Sequence, residues 1–282
     1  MVRFINPFTD VGFKKIFGQE ISKELIIDFL NDLLEGERSI RDIRFLDKEL
    51  LPEFEGDRGT IYDIYCTTES GEYFIVEMQN IRQVQFADRA LYYLSQTIAR
   101  QGQQGGKWLF DLNAVYGVFF MNFRLHDTPN KLRTDIILSD RETHEQFSDK
   151  LRFIFIELPS FAKEERECKT DFERWIYVLK NMETLERIPF KARKAVFEKL
   201  EQIADIASMS KEERERYDES IKVYRDHLAT LAYAEQKGRE EGREEGERNK
   251  QLAIARNLKT EGIPVGIISK ATGLSVEEIE KL

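Results

Sequence analysis

The stretch Ile61–Asn80, IYDIYCTTESGEYFIVEMQN, constrains this chain most, because it sets two carboxylates and a primary amide inside runs that otherwise read as apolar strands. Ile61 to Thr67 and Tyr73 to Asn80 flank Glu69-Ser70-Gly71, a polar turn with a glycine, and so predict a β-hairpin. With a three-residue loop, Thr68 pairs with Glu72, and counting outward sets Asp63 directly opposite Glu77. Side chains alternate faces with a period of two, so Ile61, Asp63 and Tyr65 share a face with Tyr73, Ile75, Glu77 and Gln79. A slip of one residue would set Asp63 against Met78 and dissolve the cluster.

Opposed carboxylates repel, and burying an ionised acid without a partner costs several kcal/mol, so a cation belongs between them. Oxygen-rich sites of this kind suit Mg²⁺ or Mn²⁺, which hold a few protein oxygens, keep several waters and activate one of them for attack on phosphorus. The bland alternative is an edge hairpin whose acids are simply solvated; Ile61, Tyr65 and Ile75 on the same face argue against it. Asp57, in the turn sequence Gly56–Gly59, is a rival ligand whose place in turn chemistry has its own explanation.

The rest of the chain supplies a scaffold. Pro7 and Asp10 read as turn and cap residues, then Phe13, Ile16 and Phe17 begin a helical stripe that resumes at Leu25, Ile26, Phe29, Leu30, Leu33 and Leu34 and stops at Gly36. A short strand is expected around Ile43 and Phe45, and a helix over Gln83–Gln101, with Phe86, Ala90, Tyr93, Leu94, Thr97 and Ile98 facing inward. Arg82, Arg89 and Arg100 bring basic charge to this region. AVYGVFFM, Ala114–Met121, predicts a buried central strand, and Leu132–Leu138 and Leu151–Leu158 further strands. His126 and His144 fall in polar connections with no helix-spaced partner histidine. Strands interleaved with helices, one hairpin and a returning strand make an α/β fold with a mixed sheet.

Thr170 to Tyr233 reads as helical throughout, with stripes such as Phe172, Trp175, Ile176 and Leu179. Glu235–Asn249 repeats glycine at Gly238, Gly242 and Gly246 among charged residues, which fits either close helix pairing between subunits or a flexible solvated linker. Leu252–Leu282 resembles a small helix-turn-helix unit with a capping box at Ser275 and Glu278; three glutamates against one lysine in SVEEIEKL make its last helix a poor probe of the major groove and suit it to protein contacts. The organisation expected is a core over 1–165, a helical extension over 166–233, the charged glycine segment over 234–251 and the tail over 252–282.

The formal net charge of −9 over 282 residues excludes indiscriminate phosphate-backbone binding and requires any nucleic-acid contact to be a local basic patch. Cys66 and Cys168 are too few for a disulfide framework or a zinc site and read as plain thiols. No run approaches the roughly 20 apolar residues of a membrane span, which predicts a cytoplasmic protein with no membrane contact.

Asp63, a hairpin and then Glu77-Met78-Gln79 resemble the PD-(D/E)XK nuclease core, in the variant where glutamine replaces the motif lysine. The wider chain is similar to the Rpn-type recombination-promoting nucleases and transposases of bacteria, through NPFTDVGFKKIFG at Asn6–Gly18, FLNDLL at Phe29–Leu34, IVEMQN at Ile75–Asn80 and RALYYLSQ at Arg89–Gln96. The resemblance implies a restriction-endonuclease-like α/β fold with a C-terminal all-α extension, and a Mg²⁺- or Mn²⁺-dependent DNA endonuclease. It implies metal ligation by Asp63, Glu77 and the Met78 backbone carbonyl, with an acid from the first helix, for which Glu24 is the choice. Gln79 would orient the attacking water, and Arg89 would supply the positive charge that a glutamine lacks; alternatively Arg89 pairs with a nearby acid such as Asp88 or Glu77. A catalytically idle nuclease fold that serves as an interaction module, with oligomerisation through the glycine-repeat tail, is the alternative function.

Overall fold

In the computed structural model, which describes residues 2–50, 59–103, 108–125 and 131–282, the run Val115–Met121 becomes β6, and every residue of it is buried. The strands are β1 (Ile43–Phe45), β2 (Glu49–Leu50), β3 (Thr60–Ile61), β4 (Ile64–Thr68), β5 (Tyr73–Gln79), β6, β7 (Arg133–Ser139) and β8 (Gln146–Glu157). Six of them form one sheet in the order β1-β4-β5-β6-β8-β7, and β2 and β3 form a two-stranded sheet. The pairings β5–β6 and β6–β8 are parallel, and β1–β4, β4–β5 and β7–β8 are antiparallel. The chain is therefore mixed α/β, as expected. The last strand starts earlier than the expected Leu151, because β7 and β8 are joined by a tight polar turn in which Asp140 Oδ1 accepts the N–H groups of Glu142 and Thr143.

Helices cover both faces of the sheet. On one face α3 (Phe86–Ala99) packs Phe86, Ala90 and Leu94 against Tyr65, Ile75, Phe119 and Phe155. On the other, α1 (Asp10–Phe17) and α2 (Lys23–Leu33) bury Phe13, Phe17 and Phe29 around Phe120. The single apolar stripe of the N-terminus is thus two helices: Gly18 ends α1, and a 3-10 turn, Glu20–Ser22, leads into α2. Helices α4 (Asp171–Asn181) and α5 (Val196–Ala204) continue this layer through Trp175, whose ring lies 5.7 Å from Phe17 and 5.1 Å from Phe197. The boundary expected at 165 accordingly falls inside a packed unit, Met1–Ile221.

The N-terminal motif has a steric logic. The cap of α1 is Thr9 rather than Asp10: Thr9 Oγ1 accepts the Gly12 N–H at 3.0 Å and donates to Asn6 O at 2.9 Å. Any Cβ at position 12 would lie 2.1 Å from Asn6 O, so only glycine lets this cap close. Gly12→Ala is expected to cost about 2–3 kcal/mol by forced displacement of that turn, readable as a lower urea midpoint; an unchanged midpoint would contradict the close approach.

The second unit, Lys222–Leu282, contains most of the 50-residue helix α6 (Lys211–Thr260), then α7 (Val265–Thr272) and α8 (Val276–Glu280). Gly238, Gly242 and Gly246 lie inside α6 with open space around them, so the segment 234–251 is helical and the flexible-linker reading of it is set aside. The tail closes on Ala255, Ile268, Leu274 and Ile279, and the expected capping box forms between Ser275 and Glu278. Arg248 pairs with Glu278 of α8 at 2.5 Å.

Candidate active site

The register of the β4–β5 hairpin is the one expected: Ile64 faces Val76, Thr67 faces Tyr73, and the Thr68 N–H donates to Glu72 O at 2.9 Å. Asp63 nevertheless lies just before β4, at a break between β3 and β4, and not inside a continuous strand over Ile61–Thr67. The break shifts the alternation. Tyr62 joins Tyr65 and Ile75 in the core, while Ile61, expected on that face, is 62% exposed.

The break lets the two acids exchange hydrogen bonds with the opposite backbone. The Asp63 N–H donates to Glu77 Oε1 at 3.0 Å, and the Met78 N–H donates to Asp63 Oδ2 at 2.9 Å. Gln79 Nε2 donates to Glu77 Oε2 at 3.1 Å, and Gln79 Oε1 accepts from Arg89 Nη2. Arg89, in the first turns of α3, spends its other terminal nitrogen on Gln83 Oε1 at 2.8 Å. Asp63, Glu77, Gln79 and Arg89 are thus one hydrogen-bonded row, and Arg89 reaches the acids through the glutamine amide.

Residues that sequence reasoning did not place here flank the row. Lys14 of α1 holds its Nζ 3.9 Å from Asp63 Oδ1 and pairs with Asp10 one turn back. The signal was present in the spacing of Asp10 and Lys14 by four within a helix, but only the tertiary fold sets that face against Asp63. Asn80 Nδ2, donating to Phe8 O at 2.7 Å, ties the end of β5 to the residues preceding α1.

The electrostatics follow from burial. Glu77 is 4% exposed and accepts hydrogen bonds from two neutral donors, the Asp63 N–H and the Gln79 amide. Burial first, and the charge of Asp63 second, raise its pKa from the ordinary 4.5 to about 8. Burial also raises Asp63, against the opposing effects of the Met78 N–H and Lys14.

A divalent cation fits this donor set. Two adjacent carboxylates that resist joint ionisation, with Glu77 Oε1, Glu77 Oε2 and Asp63 Oδ2 each held by a neutral donor, are the hard oxygen ligands that Mg²⁺ and Mn²⁺ accept, with waters filling the other positions. Among the described residues no three His, Cys, Asp or Glu side chains stand close enough to hold a metal ion, so these two acids would need the Met78 carbonyl and water beside them. Glu24 does not join them: it is 72% exposed and pairs with Lys199 at 2.9 Å, because α2 turns that face toward α5. Asp28 likewise accepts from Trp175 Nε1 at 2.8 Å and pairs with Lys194. His144 is exposed in the β7–β8 turn, and Asp57 and His126 lie outside the described residues.

Residues 7–234 match the model of the PD-(D/E)XK nuclease family transposases. The chain belongs to this family. No match was found among the curated proteins or the solved structures. The matched span takes in Lys14 and the whole hydrogen-bonded row from Asp63 to Arg89, together with the sheet that carries it. Among the described residues no helix is long and apolar enough to cross a membrane.

Proposed function

We propose that this protein is a metal-dependent DNA endonuclease acting in recombination or transposition, with Asp63, Glu77 and the Met78 backbone carbonyl as ligands for Mg²⁺ or Mn²⁺. The observation that carries the reading is the pair of half-buried Asp63 and buried Glu77, whose hydrogen bonds orient both carboxylates without supplying a cation to Glu77. A bound Mg²⁺ would supply charge neutralisation at the phosphate and lower the pKa of a coordinated water.

The remaining roles fall to the chain. Gln79, held between Glu77 and Arg89, offers a fixed amide to orient a water, and Arg89 keeps that amide in place while adding positive charge to the site. In the reaction the water oxygen bonds to phosphorus as the bond from phosphorus to the leaving sugar oxygen breaks. The water proton passes to solvent, and the leaving oxygen takes up a proton. Negative charge builds on the phosphate during this step, which is what fixed cations at the site stabilise.

Gln79 in the lysine position is the observation that favours a second reading, a nuclease fold kept as an interaction module. Nicking of supercoiled plasmid by the wild-type protein and by Asp63→Ala, with Mg²⁺ or Mn²⁺ and with EDTA, tests the proposal. Divalent-dependent nicking by the wild type that falls at least about a hundredfold in Asp63→Ala is expected. Equal activity in both proteins, or none with any divalent ion, would leave the interaction reading standing.

A further inference from the structure

We infer that Lys14 is the cationic residue that contacts the scissile phosphate, entering the site from the N-terminal helix where the motif would place a lysine on β5; the inference rests on the nuclease reading above. Two observations converge on it. The Lys14 ammonium stands 3.9 Å from Asp63 Oδ1 and the Lys14 side chain is 25% exposed, so it lies at the mouth of the acid pair and not inside the core. Arg89, the other cation of the row, gives both terminal nitrogens to glutamines, Gln79 and Gln83.

The helix that bears Lys14 is held in place with more contacts than a surface ion pair needs. Thr9 caps it, Asn80 ties the preceding Phe8 carbonyl to the end of β5, and Phe13 and Phe17 anchor its inner face on Phe120. An ammonium has three donors, and one of those of Lys14 goes to Asp10 one turn back, which leaves the group pinned yet able to donate to a phosphate oxygen. At 3.9 Å its contact with Asp63 is Coulombic and yields to a better acceptor. The N-terminal motif NPFTDVGFKKIFG thereby acquires a job: the capped, glycine-dependent turn at Asn6–Gly12 sets the height of Lys14 over the acid pair.

A purely structural Asp10–Lys14 pair, spaced by four on a helix, would touch no substrate. Three measurements on the full-length protein separate the readings: Mg²⁺-dependent plasmid cleavage, Mn²⁺ affinity by calorimetry, and binding of a labelled duplex oligonucleotide in Ca²⁺. For Lys14→Met we expect cleavage to fall about a hundredfold or more, oligonucleotide binding to weaken several-fold, and Mn²⁺ affinity to hold or rise, since a competing charge has left Asp63. Adding Gln79→Lys to Lys14→Met should recover cleavage at least tenfold, because the charge returns from the neighbouring strand.

Cleavage by Lys14→Met within about threefold of wild type overturns the assignment. So does a tenfold loss of Mn²⁺ affinity without recovery by Gln79→Lys, which would make Lys14 a builder of the metal site. A wild-type protein that binds the oligonucleotide and never cuts it sinks the nuclease reading. In that case unchanged oligonucleotide binding by Lys14→Met removes the phosphate contact as well, on grounds that do not depend on cleavage.

Discussion

Glu77→Gln is expected to abolish divalent-dependent cleavage, by about a thousandfold or more, while making the metal-free protein more stable at pH 8. Both effects come from one carboxyl. In the native state its pKa is raised to about 8 by burial and by Asp63, against an ordinary value of 4.5. A raised acid favours folding at low pH: below pH 4.5 it is neutral in both states, and no penalty exists. Between 4.5 and 8 the unfolded chain ionises while the native one stays protonated, so stability drains away as pH rises, and above 8 the loss levels off. The wild type in EDTA should therefore lose about 2–4 kcal/mol between pH 5 and pH 8 from this group. Glu77→Gln should lose correspondingly less. A divalent ion holds the ionised form, so Mn²⁺ should raise the wild-type urea midpoint more at pH 8 than at pH 6 and leave that of Glu77→Gln almost unmoved. Parallel pH profiles for the two proteins in EDTA would contradict the burial argument.

Phe120→Ala is expected to be the most destabilising single truncation in the sheet, by about 3–5 kcal/mol. Phe120 is fully buried on β6, and its ring lies 5.1 Å from Phe29, 5.5 Å from Phe13 and 6.2 Å from Phe17. Those three rings belong to α1 and α2, and Phe17 and Phe29 pass the packing on to Trp175. Removing Phe120 opens a cavity under both N-terminal helices at once, which limits how far either can collapse into it. Thermal unfolding should show a midpoint lower by roughly 10 °C, whereas Phe147→Ala, at a position 84% exposed, should change stability by less than about 0.5 kcal/mol. Because α1 carries Lys14, the same cavity should also loosen the Asp63 end of the site. Comparable midpoints for the two alanine variants would remove this role for the aromatic cluster.

Much of the site was legible because a β-hairpin is a local object. The turn Glu69–Gly71 and a period of two were enough to set Asp63 opposite Glu77, and the register stands as counted. Gln79 and Arg89 were legible as neighbours of the pair for a similar reason: one follows Glu77 by two, and the other lies in the next helix, which packs on the same sheet. What the pattern of alternation concealed was the break at Tyr62–Asp63. There the chain leaves its pairing with β2 and enters β4, so Tyr62 turns inward and the Asp63 N–H is freed for Glu77.

The acid sought on the first helix shows the limit most plainly. Glu24 and Asp28 are spaced by four on α2, and sequence periodicity alone could say that much, but not which neighbour that side meets. Packing of α2 on α4 and α5 gives Glu24 to Lys199 and Asp28 to Trp175. The shorter helix before it, expected as the start of the same apolar stripe, is the one that reaches the acid pair, and it brings Lys14 and Asp10. By itself, then, the amino-acid order determined the elements, the hairpin register and the carboxylate pair, all of which depend on residues within about 20 positions of one another. The tertiary structure decided which cation stands beside Asp63 and how Arg89 reaches Glu77, because those contacts depend on where whole helices settle when their apolar faces are buried on opposite sides of one sheet.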